Sequence, residues 1–380
     1  LLLGSALSLF LSCETAEKSQ RRAEQALRIG EYAEAADAYK TVYRLTPATD
    51  KAARGRLAFL MGECYRRYGN SARALAAYRN AARYKNTDST LLREEGAMML
   101  LNGDYKNALS ALKDYVAAHP EDFVALRAYS GAQEAPTRRA KGSLYTVKPA
   151  ALFNNNRTDY APSLLIEGKD RQLYFTTTRT AALGNQLSGI TGLKNGDIYV
   201  AGVDEKGNWK RPEPVTPVNT PDDEGAVCFS PDGKTMYLTV CTTHPQYPRP
   251  ARIYTSTRAD ASWSKPQPLE LISDTLSNIA QPAVSPDGRW LYFISDMPGG
   301  EGETDLWRAE LKGNKDSRIV ENLGPQLNTP GREMFPSFRP DGTLYFSSDG
   351  RGGMGGLDLF RAKEDTLTGR WTVEPLPPPL

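Results

Sequence analysis

Histidine is the scarcest residue in this sequence of 380 amino acids, which contains only His119 and His244. Each directly precedes a proline, and no matched nucleophile lies near either one. The Gly-x-Ser-x-Gly elbow of α/β hydrolases is also absent. Because histidine is the most common general base and a frequent metal ligand, these absences predict that the chain is not an enzyme and holds no metal or cofactor.

Cysteine is nearly as scarce, and its four copies form no Cys-x-x-Cys pair. The usual zinc and thiol redox motifs are therefore missing. We expect Cys64, Cys228 and Cys241 to be reduced and structural.

Long apolar runs are lacking as well, apart from the opening stretch Leu1 to Leu11. That stretch is too short to span a bilayer and has the length and position of the apolar core of a signal peptide. Ser12 and Cys13 follow it directly, which resembles the lipobox of bacterial lipoproteins. The resemblance implies acylation of Cys13, and the alternative is an ordinary cleaved signal with an unrelated cysteine. Because residue 1 is Leu and not Met, we expect the basic start of the signal to precede it.

An excess of charge of one sign is absent too. Lysine and arginine number 47 against 45 for aspartate and glutamate, which gives a net charge of +2. Nucleic-acid binders usually carry a strongly basic surface, so the composition argues against a nucleic-acid partner.

What is present begins with helical periodicity over residues 17–133. Three glycines at predicted turns, Gly30, Gly69 and Gly103, lie 39 and then 34 residues apart. Gly62 and Gly96 each lie seven residues before a turn glycine, where a small residue lets paired helices approach. The pattern resembles the tetratricopeptide repeat, a helix–turn–helix unit of about 34 residues. It predicts three repeats and then a capping helix over about 122–133.

In tetratricopeptide geometry the first helix of each unit lines a concave groove. Counting from the turn glycines places six side chains on that surface: Arg56, Phe59, Glu63, Arg66, Arg67 and Arg93. A basic groove of this kind would suit an acidic or carboxylate-bearing peptide. The alternative is a solvated helix face whose arginines pair with nearby carboxylates.

Residues 134–142 are basic and contain Pro136, which predicts a linker. Over residues 143–380 the apolar period drops to two, and short runs of tyrosine, phenylalanine and valine alternate with turn residues. Pro-Asp-Gly recurs at Pro231, Pro286 and Pro340, at intervals of 55 and 54 residues, and a degenerate copy starts near Tyr160. Pro-Asp-Gly between two alternating apolar runs predicts a hairpin turn.

The hairpins are followed by a third strand and then by a fourth that opens with Trp209, Trp263 or Trp371. Four short strands in each repeat predict propeller blades, and these copies resemble the PD40 or TolB-like repeat. The fold class predicted is α+β multidomain, with tetratricopeptide repeats followed by an all-β, PD40/WD40-like propeller. We recognise four blades and expect the propeller to be incomplete in this sequence, because an open ring would expose unpaired strand edges.

A glycine-rich stretch over residues 348–358 is the one candidate for a metal site. Asp349 and Asp358 flank a flexible loop that could wrap a calcium ion. The spacing is not that of an EF-hand loop, and Asp-Gly pairs serve turns in the other blades. Turn chemistry is the alternative that we adopt, with no metal predicted.

The order of lipobox, tetratricopeptide repeats and PD40 propeller, with this glycine-rich stretch, resembles a family of Bacteroidetes envelope lipoproteins that includes a type IX secretion component. In that family an OmpA-like peptidoglycan-binding domain follows the propeller. The resemblance implies an outer-membrane lipoprotein that faces the periplasm and docks proteins of the secretion machinery. It implies contact with peptidoglycan only through that further domain. The competing hypothesis is an envelope enzyme or a glycan-binding propeller.

Overall fold

A computed structural model describes residues 16–141, 145–179, 181–183, 187–242, 251–260, 262–272, 276–312 and 318–378. Helices fill the first part of this region and antiparallel strands fill the rest, which confirms the predicted fold class. Cys13 and His244 lie outside the described residues. No helix within them is long and apolar enough to span a membrane.

Seven helices make up the repeat domain of the described chain. They are α1 (16–28), α2 (Tyr32–Leu45), α3 (Lys51–Arg67), α4 (Ser71–Arg83), α5 (Leu91–Leu101), α6 (Tyr105–Ala118) and α7 (Phe123–Ala140). Each of the first three pairs is joined by a tight turn whose glycine has a positive φ of +76 to +83°. That conformation costs glycine little and other residues more, which explains the spacing seen in the sequence.

Close contact inside each pair of helices depends on the small residues predicted for the first helix. A Cβ atom on Gly62 would lie 2.5 Å from the Cε1 atom of Tyr78, and one on Gly96 would lie 2.5 Å from the Cγ atom of Leu112. Ala23, which takes the same place in the first unit, is fully buried. The second helices therefore press large side chains against gaps in the first helices.

The capping helix α7 is longer than predicted, because it continues through Pro136 to Ala140. Most of the expected linker over 134–142 is therefore helical. Glu134 and Arg138 pair across one turn at 2.7 Å, and Ala135 is fully buried, so charge pairing and burial offset the amide proton that proline lacks. Residues 145–150, near the start of the predicted propeller region, form no strand.

Four antiparallel sheets follow, each with its first four strands in sequence order. Blade 1 contains β1 (Asp159–Glu167), β2 (Asp170–Thr177), β3 (Asp197–Gly202) and β4 (Glu213–Pro214). Blade 2 contains β5 (Asp223–Phe229), β6 (Thr235–Cys241), β7 (Ala251–Ala259), β8 (Ser262–Trp263) and β9 (Gln267–Pro268). Blade 3 contains β10 (Ile279–Val284), β11 (Trp290–Ser295), β12 (Asp305–Glu310) and β13 (Val320–Asn322). Blade 4 contains β14 (Glu333–Phe338), β15 (Leu344–Ser348), β16 (Asp358–Asp365) and β17 (Arg370–Pro375).

The Pro-Asp-Gly turns form the hairpins between the first two strands of blades 2, 3 and 4, as predicted. Gly233, Gly288 and Gly342 have φ values of +69, +70 and +81°. The Asp232 carboxylate accepts the amide of Lys234, two residues on, at 3.1 Å. These bonds hold the pKa of Asp232 below its usual value, because the ionised carboxylate is the form that they stabilise.

The first strand of every blade contains the same irregularity. One non-glycine residue has a positive φ in each, with Ala161 at 48°, Ala226 at 46°, Gln281 at 52° and Phe335 at 54°. Each one lies where the register shifts against the second strand, so each marks a β-bulge.

The bulges connect neighbouring blades. The amide of Ala226 donates to the Thr176 hydroxyl of blade 1 at 3.0 Å, and the amide of Gln281 donates to the Thr239 hydroxyl of blade 2 at 2.8 Å. Blade 3 has Ile294 at the corresponding place in its second strand, which offers no acceptor. The amide of Phe335 in blade 4 donates instead to the Gln281 side chain at 2.6 Å.

Apolar clusters fill the three boundaries between successive blades in the described chain. An aromatic side chain on the second strand contacts the next blade, as where Tyr174 meets Phe229 with ring centroids 4.8 Å apart. Tyr292 likewise meets Phe338 at 4.7 Å. The corresponding Tyr345 of blade 4 lines a cavity of about 600 Å³ together with Arg361 and Glu374. Whether further blades follow stays a prediction.

Candidate functional site

The six side chains predicted to line the groove lie on the first helices α3 and α5. Arg56, Phe59, Glu63, Arg66 and Arg67 share one face of α3, and Arg93 is on α5. Helical geometry puts residues three, four, seven and eleven apart on one side, so the sequence pattern places them together.

Most of these charged groups are already paired with each other. Glu63 accepts from Arg66 at 2.8 Å, and Arg66 lies 3.2 Å from Glu94. Glu94 also pairs with Arg93, which lies 3.1 Å from the Asp122 carboxylate at the start of α7. We call this series of side chains, Glu63, Arg66, Glu94, Arg93 and Asp122, the ion-pair ladder.

The ladder lowers the pKa of two of its carboxyl groups. The Glu63 carboxylate is partly desolvated, but hydrogen bonds from Arg66 and Tyr78 hold its pKa below the usual value. Asp122 also has a lowered pKa, with the Ala125 amide and Arg93 as the groups that stabilise its charge. The ladder therefore joins α3, α5 and the start of α7, and it leaves Arg66 and Arg93 less available to an outside carboxylate.

Three of the predicted residues remain open to a partner. Arg56 is exposed and has no ion pair within the described residues. The Arg67 side chain is 48% exposed, and its ion pair with Glu63 is a long one of 4.0 Å. Phe59 is half-buried between them on the same face, with its ring 5.7 Å from that of Tyr78. A docking surface made of Arg56, Phe59 and Arg67 is thus smaller than the sequence predicted.

The repeat domain contacts one end of the propeller through its first turn and through α7. At the first turn, the amides of Ala33 and Glu34 donate to the carbonyl of Gly189, at 2.9 and 3.1 Å. Gly189 lies in the segment that connects β2 to β3 of blade 1. The corresponding segment of blade 4 contacts α7, so these contacts involve equivalent connections at the same end of the propeller.

The contact with blade 4 is made by the glycine-rich stretch. Arg127 of α7 donates to the Gly355 carbonyl at 3.4 Å, and a Cβ atom on Gly131 would lie 2.5 Å from the Gly353 carbonyl oxygen. Burial lowers the pKa of Arg127, while the nearby Asp349 and Asp358 carboxylates oppose that shift. The stretch is therefore a platform on which the capping helix packs.

Both carboxylates considered for calcium have protein partners. Asp349 accepts two hydrogen bonds from the Arg332 guanidinium, at 3.0 and 2.8 Å. Asp358 accepts the Met354 amide at 3.1 Å, which caps the glycine-rich turn. No cluster of three potential metal ligands occurs among the described residues.

The interdomain contact was missed in the sequence. Gly131 interrupts an otherwise alanine-rich helical segment, and a glycine inside a helix costs about 1 kcal/mol relative to alanine. That cost indicates a close approach by some other group, but it does not identify the glycine-rich stretch as its partner.

Two carboxyl groups are buried where blades 1 and 2 meet, and neither was singled out in the sequence. Glu224 is fully buried, which raises its pKa to about 8, and Asp197 is fully buried with a pKa raised to about 6. Glu224 accepts hydrogen bonds from the amide and hydroxyl of Thr220. Blade 4 repeats this arrangement with Glu333 and Thr329, so it is a structural feature of the blades.

The comparisons with known proteins found matches among solved structures only. No protein-family model matches the chain, and no curated protein matches it in sequence. Among solved structures, it is similar to a Thermobaculum terrenum O-GlcNAc transferase mutant, with 20% identity, 36% of this chain and 24% of that chain covered, and a TM-score of 0.26. It is also similar to the tetratricopeptide domain of P58(IPK), with 14% identity, coverage of 33% and 47%, and a TM-score of 0.20. The chain thus spans about a quarter and about half of these two chains.

The propeller is similar to an α-L-arabinofuranosidase of Podospora anserina, with 15% identity, 61% of this chain and 71% of that chain covered, and a TM-score of 0.33. Other solved structures that it is similar to include a β-xylosidase, an α-L-arabinanase and a peptidase. The prediction that the chain is not an enzyme is contradicted by these matches, because the propellers that it is similar to are enzyme folds. At these identities the likeness is one of fold alone, and it shows tetratricopeptide-like helices followed by a propeller-like arrangement of four blades.

Proposed function

We propose that this chain is an envelope scaffold that docks partner proteins on the Arg56, Phe59 and Arg67 surface of its repeats. It is held at the outer membrane through Cys13, faces the periplasm and serves a secretion machinery of the type IX kind. A peptidoglycan-binding domain of the kind found in the resembled family would connect it to the cell wall.

The observation that carries the proposal is that Arg56, Phe59 and Arg67 lie on one face of α3 with both guanidinium groups exposed. The first turn and α7 contact the propeller, whereas Arg56 has no ion pair within the described residues and Arg67 lies near Glu63 and the Tyr32 ring. An aromatic side chain flanked by arginines is a common composition for the centre of a protein interface. The two guanidinium groups favour a partner segment that presents carboxylates next to an apolar residue.

A charge-reversal experiment tests this surface. The double variant Arg56→Glu, Arg67→Glu is expressed in the native host in place of the wild-type chain. Partners are then captured from the envelope by chemical cross-linking and identified by mass spectrometry, and export of outer-membrane cargo is measured. We expect partner recovery to fall at least tenfold, because two attractive contacts become repulsive.

The control carries the same change of charge on the second helices. Arg44 and Arg83 are both exposed, in the last turns of α2 and α4, so Arg44→Glu, Arg83→Glu matches the net charge of the test variant. Partner capture and export should be normal in the control. Normal capture in the test variant, or an unchanged export together with a fall in glycan turnover, would rule out the scaffold.

The membrane attachment is tested separately. Cys13→Ala should release the protein from the outer-membrane fraction, and mass spectrometry of the mature amino terminus should find acyl chains on Cys13 of the wild type. An unmodified cysteine in a membrane-bound protein would contradict this part of the proposal.

A further inference from the structure

A cavity of about 600 Å³ lies between the second turn of the repeat domain and the end of the propeller. Tyr68 and Ser71 form its wall on the helical side, and Thr158, Tyr160 and Thr178 form the wall on blade 1. The volume is within the range of small-ligand pockets. Because both domains contribute side chains, the site exists only when they are packed together.

Tyr160 is one of the polar residues that line this cavity. It lies on β1 directly before the bulge at Ala161, and its hydroxyl makes no hydrogen bond within the described residues. Burial strongly raises its pKa, and the Asp223 carboxylate adds to that shift, so the hydroxyl keeps its proton. A protonated phenol can both donate and accept a hydrogen bond.

The two charged residues in the wall already have partners. The Lys194 ammonium donates to the Ala182 carbonyl at 2.9 Å, and the Asp223 carboxylate accepts the Gly196 amide at 2.8 Å. The opposite charges of these two side chains also leave the cavity wall without a net charge. The cavity therefore lacks the cluster of cations that a phosphate or polyanion requires.

The remaining polar groups are mostly hydroxyls. Thr158, Thr178, Thr191, Ser71, Tyr68 and Tyr160 all line the cavity. Hydroxyls adapt by rotating between donor and acceptor roles, and tyrosine adds an apolar ring face beside its hydroxyl. Ser71 donates to Asn102, and the Thr178 and Thr191 hydroxyls accept backbone amides, so each of the three keeps capacity for one more hydrogen bond. A ligand with many hydroxyls of its own and with apolar C–H faces matches this lining.

We propose that the cavity between the second repeat turn and blade 1 is a binding site for a neutral saccharide. The sugar would bridge the two domains, with Tyr160 and Thr158 on the propeller side and Tyr68 on the helical side. This inference does not rest on the docking surface on α3, although Arg67 of that surface directly precedes Tyr68 in the sequence.

The test uses the full chain and ligand-observed saturation-transfer NMR. The probes are the neutral disaccharides maltose, cellobiose and diacetylchitobiose, with inorganic phosphate and glutamate as charged comparators. We expect at least one disaccharide to bind and both charged comparators to give no signal.

Two variants that each remove a single hydroxyl locate the site. Tyr160→Phe and Tyr68→Phe should each raise the dissociation constant about fivefold, which corresponds to loss of one hydrogen bond of about 1 kcal/mol. Tyr345→Phe is the matched control, because Tyr345 lines a different cavity on blade 4. Thermal melting of all three variants checks that they are folded.

The inference is wrong if no disaccharide binds, if phosphate or glutamate binds in its place, or if both test variants bind like the control. The Arg56→Glu, Arg67→Glu variant should bind the sugar normally. If that variant loses partner capture but still binds the sugar, the two sites act independently. Either proposal can then fail without the other.

Discussion

Arg66 and Glu94 connect the first helices of the second and third repeats through an ion pair of 3.2 Å between the Nε and Oε2 atoms. Glu94 is only 3% exposed at its side chain, and it also pairs with Arg93. A buried carboxylate between two guanidinium groups fixes the spacing of the helices, because Glu94 belongs to α5 and Arg66 reaches it from α3.

Removing the charge of Glu94 should destabilise the repeat domain. Glu94→Gln leaves Arg66 and Arg93 facing a neutral amide, and we expect a loss of about 1–3 kcal/mol in the free energy of unfolding, reduced by the partial exposure of both arginines. The measurement is chemical denaturation followed by far-ultraviolet circular dichroism. Glu95→Gln is the control, because Glu95 forms its ion pair of 3.5 Å with Arg79, whose side chain is half-exposed. Equal losses in the two variants would contradict a special role for the ladder.

Adding a side chain at Gly131 should separate the capping helix from blade 4. In Gly131→Val the new atoms would clash with the Gly353 carbonyl, a backbone atom that cannot move aside freely. We expect amide hydrogen exchange over residues 350–357 to accelerate at least tenfold. Ser130→Val, at the neighbouring position on α7, should leave that exchange unchanged. Slow exchange in Gly131→Val would show that the contact does not hold the glycine-rich stretch in place.

The raised pKa of Glu224 predicts that stability falls as the pH rises. In the unfolded chain this carboxyl loses its proton near its ordinary value of 4.5, whereas the folded chain keeps the proton up to about 8. The folded state therefore binds more protons in that window, and Glu224 subtracts about 1.4 kcal/mol of stability for each pH unit between those two values.

Glu224→Gln should flatten this dependence, because an amide resembles the protonated carboxyl and cannot ionise. Melting temperatures of wild type and variant are compared from pH 5 to pH 8, and the variant should gain most at pH 8. Asp232→Asn serves as the control, since its carboxyl has a lowered pKa and is already ionised throughout this range. A parallel pH dependence in wild type and Glu224→Gln would contradict the prediction.

Two tyrosines at equivalent positions should respond differently to truncation. Tyr292 is almost fully buried and packs on Phe338, so Tyr292→Ala should cost about 3–5 kcal/mol in the free energy of unfolding. Tyr345 faces a cavity, so Tyr345→Ala should cost about 1 kcal/mol or less. Urea denaturation followed by tryptophan fluorescence gives both values. A large cost at Tyr345 would show that another segment covers it.

The sequence predicted those parts of the fold that depend on local chemistry. Gly69 and Gly288 lie at turns because glycine adopts a positive φ easily. Gly62 lies in a helix against Tyr78 because a larger residue would not fit. The spacing of such glycines therefore predicted the repeats. The extent of α7 was wrong because Pro136 was taken to end a helix that burial and the Glu134–Arg138 pair sustain.

The candidate site was predicted only in part. Position on α3 follows from helical period, so Arg56 and Phe59 were found on one face. The pairing of Arg93 with Asp122 was not found, because those residues are 29 positions apart. The contact of Gly131 with Gly353 joins two domains, and no local pattern in either segment encodes the other.

The packing of the repeat turns and α7 against equivalent connections of blades 1 and 4 gives the molecule a direction. One end of the propeller is shielded by the chain's own helices, so a large protein approaching along the propeller axis meets the other end or the rim. The cavity beside Tyr160 lies on that same side, and its volume of about 600 Å³ suits only small solutes. Size alone would therefore sort which molecules reach each end.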